Sequence, residues 1–175
     1  MKRILIVVVA ATCLSSCEEE KVLPDPHGTI ELNIGDIQEQ FMIRDTDRMG
    51  ERYWLHHTYS VSWTPPSNIQ VKREAKGCYP EWCYTDEPWM GFGTFDIDAI
   101  CSVGKVAGLG NITKIPDSGY ASKVSCSAGF GYVICYDDGS DDANSKTYAR
   151  MYIVEEITDP SGVITGAKVK YQYPF

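Results

Sequence analysis

Aromatic rings and carboxylates are concentrated in one stretch of the chain, between residues 78 and 95. Glu81 and Glu87 lie among the rings, and Pro80 and Pro88 restrict the backbone around them. Aromatic faces beside carboxylates suit stacking on sugar rings and hydrogen bonding to sugar hydroxyls. The alternative is that the rings pack a disulfide-stapled loop onto the rest of the fold, and their exposure decides between the two. The candidate ligand-binding residues are Tyr79, Trp82, Tyr84 and Trp89.

Two acidic segments contain the oxygen ligands that calcium prefers, but neither has the spacing of an EF-hand loop. Such a loop ends with Glu at its twelfth position. Counting twelve from Asp137 reaches Tyr148, and counting twelve from Asp45 reaches His56. We therefore interpret the two segments as a solvated hairpin loop and a turn, respectively.

The remaining nucleophiles and bases form no catalytic or metal-binding motif. His56 and His57 are adjacent, and neighbouring residues on a strand point to opposite faces, which argues against a zinc site built with Cys78 and Cys83. The chain contains neither a Gly-x-Ser-x-Gly elbow nor a phosphate-binding glycine loop. We predict no catalytic residue, no metal site and no cofactor.

Five cysteines lie downstream of the N-terminal region, and five cannot all pair within one chain. Cys78 and Cys83 flank a Tyr-Pro-Glu-Trp turn and are the predicted disulfide. A pair between Cys126 and Cys135, or between either of them and Cys101, is also open. At least one thiol should remain, buried as a small hydrophobic side chain.

The N-terminus has the pattern of an export signal. Cations at positions 2 and 3, an apolar run over Ile4–Leu14 and small residues before Cys17 are typical of a secretory signal, and the run is too short to span a bilayer. The segment Leu14-Ser15-Ser16-Cys17 resembles the lipobox of bacterial lipoproteins, in which the cysteine is acylated and becomes the mature N-terminus. The resemblance implies that Cys17 carries a lipid and attaches the protein to a membrane. The alternative is an ordinary secreted protein in which Cys17 stays a thiol or a disulfide partner.

Three segments follow from this reading. Residues 1–16 are the signal peptide, and their removal from the 175 residues leaves 159, enough for one domain with a core. Residues 17–27 are predicted to be a lipidated flexible tether, because Glu- and Pro-containing sequence of this kind buries too little apolar surface to fold. Residues 28–175 are predicted to be a single β domain.

Within the tether, Glu18–Lys21 resembles the acidic export tag of surface-exposed Bacteroidota lipoproteins, which implies display on the cell surface. A periplasm-facing anchor is the alternative.

The mature chain is acidic. Loss of Lys2 and Arg3 lowers the 16 basic side chains to 14, against 24 acidic ones, for a net charge of −10. Binding to phosphate backbones needs a clustered basic face, so nucleic acids and anionic lipid surfaces are not predicted partners.

The hydrophobic pattern from Gly28 onward has the period of two that is typical of half-buried strands. No segment has a sustained helical period, and 36–41 is predicted to form one short turn. The final pair of strands flanks Asp159-Pro160-Ser161-Gly162, a sequence with strong turn chemistry. We therefore predict an all-β fold, an antiparallel β-sandwich or a partly open barrel. The predicted strands are 30–34, 53–63, 69–73, 93–100, 102–106, 124–127, 131–136, 147–157 and 163–172.

The second half of the chain contains a set of motifs between Ser102 and Phe175. They are SVGKVAGL at 102–109, ITKIP at 112–116, SGY at 118–120, GFGYV at 129–133, YARMYIV at 148–154 and the ending GAKVKYQYPF. Together these motifs resemble a family of Bacteroidota lipoproteins of unknown function, over about residues 100–175. The resemblance agrees with the lipobox and the acidic tag, and it implies no assigned activity.

These observations predict a lipoprotein of the outer membrane or the cell surface that acts as a non-catalytic extracellular binding module. Its ligand would be a glycan or a protein. The alternative is a structural or assembly component of the cell envelope that contacts another envelope protein or a neighbouring copy through a sheet edge. A hydrolase is the third reading, and it would need a pocket that contains His56 or a close pair of carboxylates.

Overall fold

The computed structural model describes residues 22–46, 49, 52–78, 90–137 and 146–175. Within these ranges the chain forms two antiparallel sheets of five strands each, and it contains no α-helix. The two sheets are separate and do not close into a barrel. The all-β prediction is therefore confirmed, and of its two variants the structure is a sandwich.

In chain order the strands are β1 (Ile30–Asn33), β2 (Gln38–Thr46), β3 (Arg52–Thr64), β4 (Asn68–Cys78), β5 (Met90–Asp96), β6 (Ile100–Lys105), β7 (Lys123–Ser125), β8 (Phe130–Asp137), β9 (Lys146–Thr158) and β10 (Ile164–Gln172). Sheet A has the order β1-β10-β9-β8-β6. Sheet B has the order β2-β3-β4-β5, and β7 pairs with the first residues of β4. Two 3-10 turns, Ile34–Asp36 and Leu109–Asn111, complete the regular elements.

The two hairpins with the clearest turn chemistry form as predicted. β3 and β4 pair from Thr64 and Asn68 outward, on either side of the segment Pro65-Pro66-Ser67. In the β9–β10 turn, Oδ1 of Asp159 accepts hydrogen bonds from the Ser161 amide at 2.9 Å, the Ser161 hydroxyl at 2.6 Å and the Val163 amide at 3.0 Å. These bonds lower the pKa of Asp159. The acidic side chain thus organises its own turn.

The structure differs from the sequence prediction around β2. The segment 36–41 was predicted to form one short turn, but the 3-10 turn ends at Asp36 and β2 pairs with β3 along its whole length. Strand β2 lies at the end of sheet B, and its apolar alternation is weak because Met42 points to solvent with 60 % of its surface exposed. Glu39 on the same strand is polar and accepts a hydrogen bond from Tyr171 of the core, so apolar and polar residues do not alternate cleanly along β2.

The main core lies between the two sheets. It is built from alternate residues of strands on both sides, which is why the apolar positions repeat every second residue. Each fully buried Val, Ile or Met side chain stabilises the fold by about 1.5–3 kcal/mol. The inward residues include Tyr59, Val61, Ile69 and Val71 from sheet B, and Tyr132, Ile134, Met151, Ile153 and Val169 from sheet A.

A hydrogen-bond chain crosses this core from sheet A to sheet B. The hydroxyls of Tyr136 and Tyr171 lie 2.8 Å apart, and the Tyr171 hydroxyl donates to Oε1 of Glu39 on β2 at 2.8 Å. Because Tyr171 has one hydroxyl proton and gives it to Glu39, Tyr136 must be the donor to Tyr171. The chain therefore satisfies two tyrosine hydroxyls inside the sandwich.

Sheet A is covered on its outer face as well. Val133 packs there against Leu109 and Ile112, which belong to the long connection between β6 and β7. Gly131 makes this close cover possible, because a Cβ atom at this position would lie 2.8 Å from Cδ1 of Ile112 and 2.9 Å from Cγ2 of Val103. Strand β8 is thus buried on both faces, which explains its continuous apolar run.

The end of the predicted tether contacts the domain. Lys170 forms a salt bridge with Asp25 at 2.7 Å, and the Gln172 side-chain amide donates to the His27 carbonyl at 2.9 Å. The Pro24 carbonyl lies close against Gly110 of the second 3-10 turn, because a Cβ atom added to Gly110 would lie 2.5 Å from that carbonyl oxygen. Residues 23–27 therefore lie against the domain at β10 and the second 3-10 turn.

None of Cys101, Cys126 and Cys135 forms a disulfide, so the alternative pairings among these three were wrong. Cys126 packs in the core between the sheets, whereas the Cys101 sulfur contacts the Ser118 carbonyl in the connection over the outer face, at 3.5 Å. The expectation of a buried remaining thiol is confirmed, and burial raises the pKa of Cys126 to about 11. The pair of Cys78 and Cys83 stays a prediction, because Cys83 lies outside the described residues.

Candidate functional site

An open cleft of about 590 Å³ lies at one end of the sandwich, where residues of both sheets and two connections meet. Its volume is in the range of small-molecule sites, about 300–1,000 Å³. We call it the tyrosine cleft. Its aromatic and charged lining residues are Tyr59, Arg73, Asp98, Asp117, Tyr120, Lys146 and Tyr148.

Sheet B supplies one wall of the tyrosine cleft. Tyr59 on β3 and Arg73 on β4 are directly opposite each other in the strand register, so both side chains lie on the same face. Tyr59 is held by edge-to-face contacts with Tyr136 and Phe41, at ring distances of 5.2 Å and 5.5 Å. Only 1 % of its surface is exposed. This wall is therefore rigid, since core packing fixes its aromatic residue.

The connection between β6 and β7 supplies the opposite wall. Residue Ala121 forms an isolated bridge with Ile100, through backbone hydrogen bonds of 2.9 Å and 3.1 Å, and this bridge fixes the loop beside it. Gly119, at φ +88°, turns the chain just before Tyr120. A side chain at this glycine would be strained, because positive φ is rarely adopted by other residues. Asp117 and Tyr120 thus enter the cleft from an anchored loop.

The lining includes buried polar atoms that make no hydrogen bond to any described residue, among them the hydroxyl oxygen of Tyr120 and Nε of Arg73. Burial, reinforced by Cys135 and Tyr148, raises the pKa of Tyr120, so its hydroxyl keeps its proton as a donor. Burying such a group unsatisfied costs about 1–3 kcal/mol.

The described lining of the tyrosine cleft carries side chains of both charges. Asp98 and Asp117 are exposed carboxylates, and in the described part of the chain neither forms an ion pair with a cation. Arg73 and Lys146 contribute two cations to the same lining. The cleft therefore presents both positive and negative side chains, although the chain as a whole carries a net charge of −8.

A second groove of about 480 Å³ lies between the sheets near β1 and the start of β10, and it has a different character. Among the described residues, its lining contains Trp63, Ile34 and Ile157 and no charged side chain. The Trp63 indole N–H is buried and has no hydrogen-bond acceptor among the described residues. We call it the tryptophan groove.

The predicted ligand-binding residues are not among the residues that the structure describes. Tyr79, Trp82, Tyr84 and Trp89 all fall between the end of β4 and the start of β5, and Cys17 also lies outside the described ranges. These predictions therefore stay predictions. The described strand β4 carries Arg73 of the cleft five residues before Cys78, a separation of about 17 Å along the strand.

The histidine pair occupies two different environments. His57 is buried with 2 % of its surface exposed, and its ring lies 6.3 Å from that of Tyr59, whereas His56 is half-buried. Neither histidine lines the tyrosine cleft. Among the described residues, no three side chains of His, Cys, Asp or Glu are grouped as a metal site would require.

No family model, curated protein or solved structure matches this chain. The likeness of residues 100–175 to a family of Bacteroidota lipoproteins therefore stays a prediction. Within the described ranges, no helix has the length and apolar character needed to span a bilayer.

Sequence reasoning missed the tyrosine cleft because its described residues come from six separate segments. The cleft draws on β3, β4, the β5–β6 link, the β6–β7 connection, β8 and β9. Only the short motif around Tyr120 gave a local signal, a glycine directly before an aromatic residue. Chemically, the assembled site offers aromatic faces, hydrogen-bond donors and carboxylate acceptors to one small polar ligand.

Proposed function

We propose that the protein is a lipid-anchored lipoprotein of the outer membrane or cell surface that binds a small polar ligand in the tyrosine cleft without chemically changing it. The observation that carries the proposal is the cleft itself, with three tyrosines, two carboxylates and two cations around an opening of about 590 Å³. Such a mixture of apolar surface and a few converging polar groups is characteristic of ligand sites.

The rigidity of the cleft favours binding as its role. Tyr59 is fixed by the core, and the loop that carries Tyr120 is fixed by its bridge to Ile100. A site formed in advance loses little conformational entropy when a ligand arrives, so more of the contact energy appears as affinity.

The membrane anchor is supported by the sequence. The lipobox implies that Cys17 is acylated, and stable anchoring needs more than one acyl chain, which the mature N-terminus of such lipoproteins supplies. Replacing Cys17 by alanine should move the protein from the membrane fraction to the soluble fraction. Retention of the variant in washed membranes would contradict the anchor.

Ligand binding is tested with the mature lipoprotein purified in detergent. The protein is screened against an array of oligosaccharides and a peptide library, beside two variant forms. One form carries Asp117→Asn with Tyr120→Phe, and the other carries Trp82→Ala with Trp89→Ala. Loss of binding in the first form alone supports the cleft. Loss in the second form alone would assign binding to the segment 79–89 instead, and turnover of a bound oligosaccharide would favour a hydrolase.

A structural or assembly role is the second candidate, and the edge of sheet B favours it. Strand β2 has a neighbour on one side only, and Met42 on this strand is largely exposed. An unpaired edge strand can add a strand of another chain. Crosslinking of intact cells through a photoreactive residue at position 42 tests this role, because a specific adduct would identify a partner at the edge.

A further inference from the structure

We infer that the outer face of sheet A, with the connection that covers it, is the surface of the domain that faces the membrane. The inference rests on the proposed function, since it takes Cys17 as the residue that carries the lipid, and it names the bilayer surface as the partner of this face. Two observations lead to it. Residues 23–27, here called the docked segment, lie over this face, and only a short stretch of chain joins them to Cys17.

A turn just before β1 folds the N-terminal part of the chain back over the domain. The amide and the hydroxyl of Thr29 both donate to the Pro26 carbonyl, at 3.2 Å and 2.7 Å. Gly28, the third residue of this turn, has a φ of +82°, a conformation that glycine adopts without strain. The chain that precedes β1 therefore returns toward β10 and the second 3-10 turn.

Strand β10 contacts the docked segment on the outer face of sheet A. Val169 and Tyr171 point into the core between the sheets, so Lys170 between them points to the opposite, outer face. The Lys170 ammonium group binds the Asp25 carboxylate at 2.7 Å. An ion pair at the surface contributes only about 0–1 kcal/mol, so this contact guides the segment and does not hold it alone.

The second 3-10 turn holds the docked segment by close packing. A Cβ atom on Gly110 would lie 2.5 Å from the Pro24 carbonyl oxygen and 3.0 Å from Cβ of Leu23. The glycine therefore leaves the space that the segment occupies. The preceding residue, Val22, has 68 % of its surface exposed, so the close contact with the domain ends at Leu23.

The length of chain between Leu23 and the lipid limits how the domain can be oriented. Leu23 is six residues beyond Cys17, and six residues span at most about 20–22 Å when fully extended. A compact domain of roughly 150 residues has a radius of gyration of about 15 Å and hence a diameter of about 38 Å. If sheet B faced the bilayer, Leu23 would lie on the far side of the domain, beyond this reach. The outer face of sheet A therefore faces the bilayer.

Docking of the segment is what makes the attachment short. Without it, the chain would leave the domain at the start of β1, and the 13 residues from Cys17 to Ile30 span about 43–47 Å when extended. That length exceeds the diameter of the domain, so either face could then approach the membrane.

The experiment measures the distance of each face from the bilayer by fluorescence energy transfer. The mature lipoprotein is inserted from detergent into preformed phosphatidylcholine vesicles that contain an acceptor dye on a lipid headgroup, and flotation verifies that it is bound. A donor dye is coupled to p-azidophenylalanine, which replaces exposed Thr113 beside Ile112 in one form. In the other form it replaces Glu74, a partly exposed residue of β4 on the outer face of sheet B. Circular dichroism verifies that every form is folded.

We expect stronger energy transfer from position 113 than from position 74. The distance to the acceptor plane should be shorter by at least about 10 Å, which is the separation of two packed sheets. Gly110→Ala should release the docked segment and bring the two transfer efficiencies together. Gly35→Ala is the matched control, because a Cβ atom there meets no atom within 4 Å, and it should leave the difference unchanged. If Gly110→Ala does not fold, the comparison of positions 113 and 74 in the otherwise unsubstituted protein still decides the orientation.

The outcomes separate the orientation from the anchor. Equal transfer from both positions, or stronger transfer from position 74, in protein that floats with the vesicles would overturn the inference and leave the anchor intact. An unchanged difference in folded Gly110→Ala would also overturn it, because the docked segment would then not set the orientation. If the protein does not float with the vesicles, the lipid anchor fails, and the inference fails with it.

Discussion

Replacing Tyr171 by phenylalanine should destabilise the domain much more than the same change at Tyr136. The Tyr171 hydroxyl lies in the middle of the chain that joins the sheets, at 2.8 Å from both the Tyr136 hydroxyl and Oε1 of Glu39. Its removal breaks both hydrogen bonds and leaves the buried Tyr136 hydroxyl without an acceptor. Removal of the Tyr136 hydroxyl breaks one bond only, because Tyr171 still donates to Glu39.

The magnitudes follow from this asymmetry. A buried donor left unsatisfied costs about 1–3 kcal/mol, and an ordinary hydrogen bond contributes about 0.5–1.5 kcal/mol. We therefore expect a loss in the free energy of unfolding of about 2–4 kcal/mol for Tyr171→Phe and about 0.5–1.5 kcal/mol for Tyr136→Phe. The double variant should cost no more than Tyr171→Phe alone, because in that background Tyr136→Phe removes the buried hydroxyl that was left without an acceptor.

The free energy of unfolding is measured by urea titration with tryptophan fluorescence for the wild type, the two single variants and the double variant. Their m-values should agree, so that differences in midpoint report stability. Equal costs for the two single variants, or strictly additive costs in the double variant, would refute the proposed direction of the hydrogen-bond chain.

Three further perturbations test other parts of the structure. Burial raises the pKa of Glu39, and the hydrogen bond from Tyr171 partly offsets this rise. The stability contributed by Glu39 is therefore present at low pH and is lost as the pH rises through the folded-state pKa. Glu39→Gln should remove this pH dependence from urea midpoints measured above pH 4, and an unchanged pH dependence would contradict the assignment. Gly131→Ala places a Cβ atom 2.8 Å from Ile112 and should lower the free energy of unfolding, measured by heat or urea, by about 1–3 kcal/mol. Adding Ile112→Val to this variant should restore part of that stability. If it restores none, overpacking is not the cause. A Cβ atom at Gly110 would collide with the Pro24 carbonyl, so Gly110→Ala should displace the N-terminal segment from the domain. Hydrogen exchange of residues 22–27 should then accelerate while the core stays protected. Unchanged exchange would show that these residues are not held against the second 3-10 turn.

The sequence predicts those parts of the fold in which local chemistry and periodicity agree. The β9–β10 hairpin is an example, because the turn around Asp159 is stabilised by its own side chain and both flanking strands alternate. Strand β2 was missed because apolar Met42 faces solvent and polar Glu39 bonds to Tyr171 in the core, so the alternation is weak. The sequence also could not show that Cys101 and Cys126 form no disulfide. Spacing along the chain does not reveal that Cys101 faces the connection over the outer face while Cys126 lies in the core.

The candidate site was harder to predict for a related reason. Tyr79 and Trp82 attract attention because they are close in sequence, whereas Arg73 and Tyr120 are far apart in sequence and meet only through the sheet register and the anchored β6–β7 connection. A cleft whose described lining comes from six segments leaves no local motif. Its discovery therefore required the tertiary structure.

The central claim is that the tyrosine cleft binds a small polar ligand, and chemical-shift mapping by NMR tests it most directly. The ¹⁵N-labelled protein is titrated with the strongest ligand from the oligosaccharide and peptide screen. The largest saturable shifts are expected at residues 97–99, 115–117, 120, 135, 146 and 148, which line the cleft. Shifts confined to residues 33–35, 62–63 and 165–167 of the tryptophan groove, or no saturable shift in the cleft, would contradict this claim.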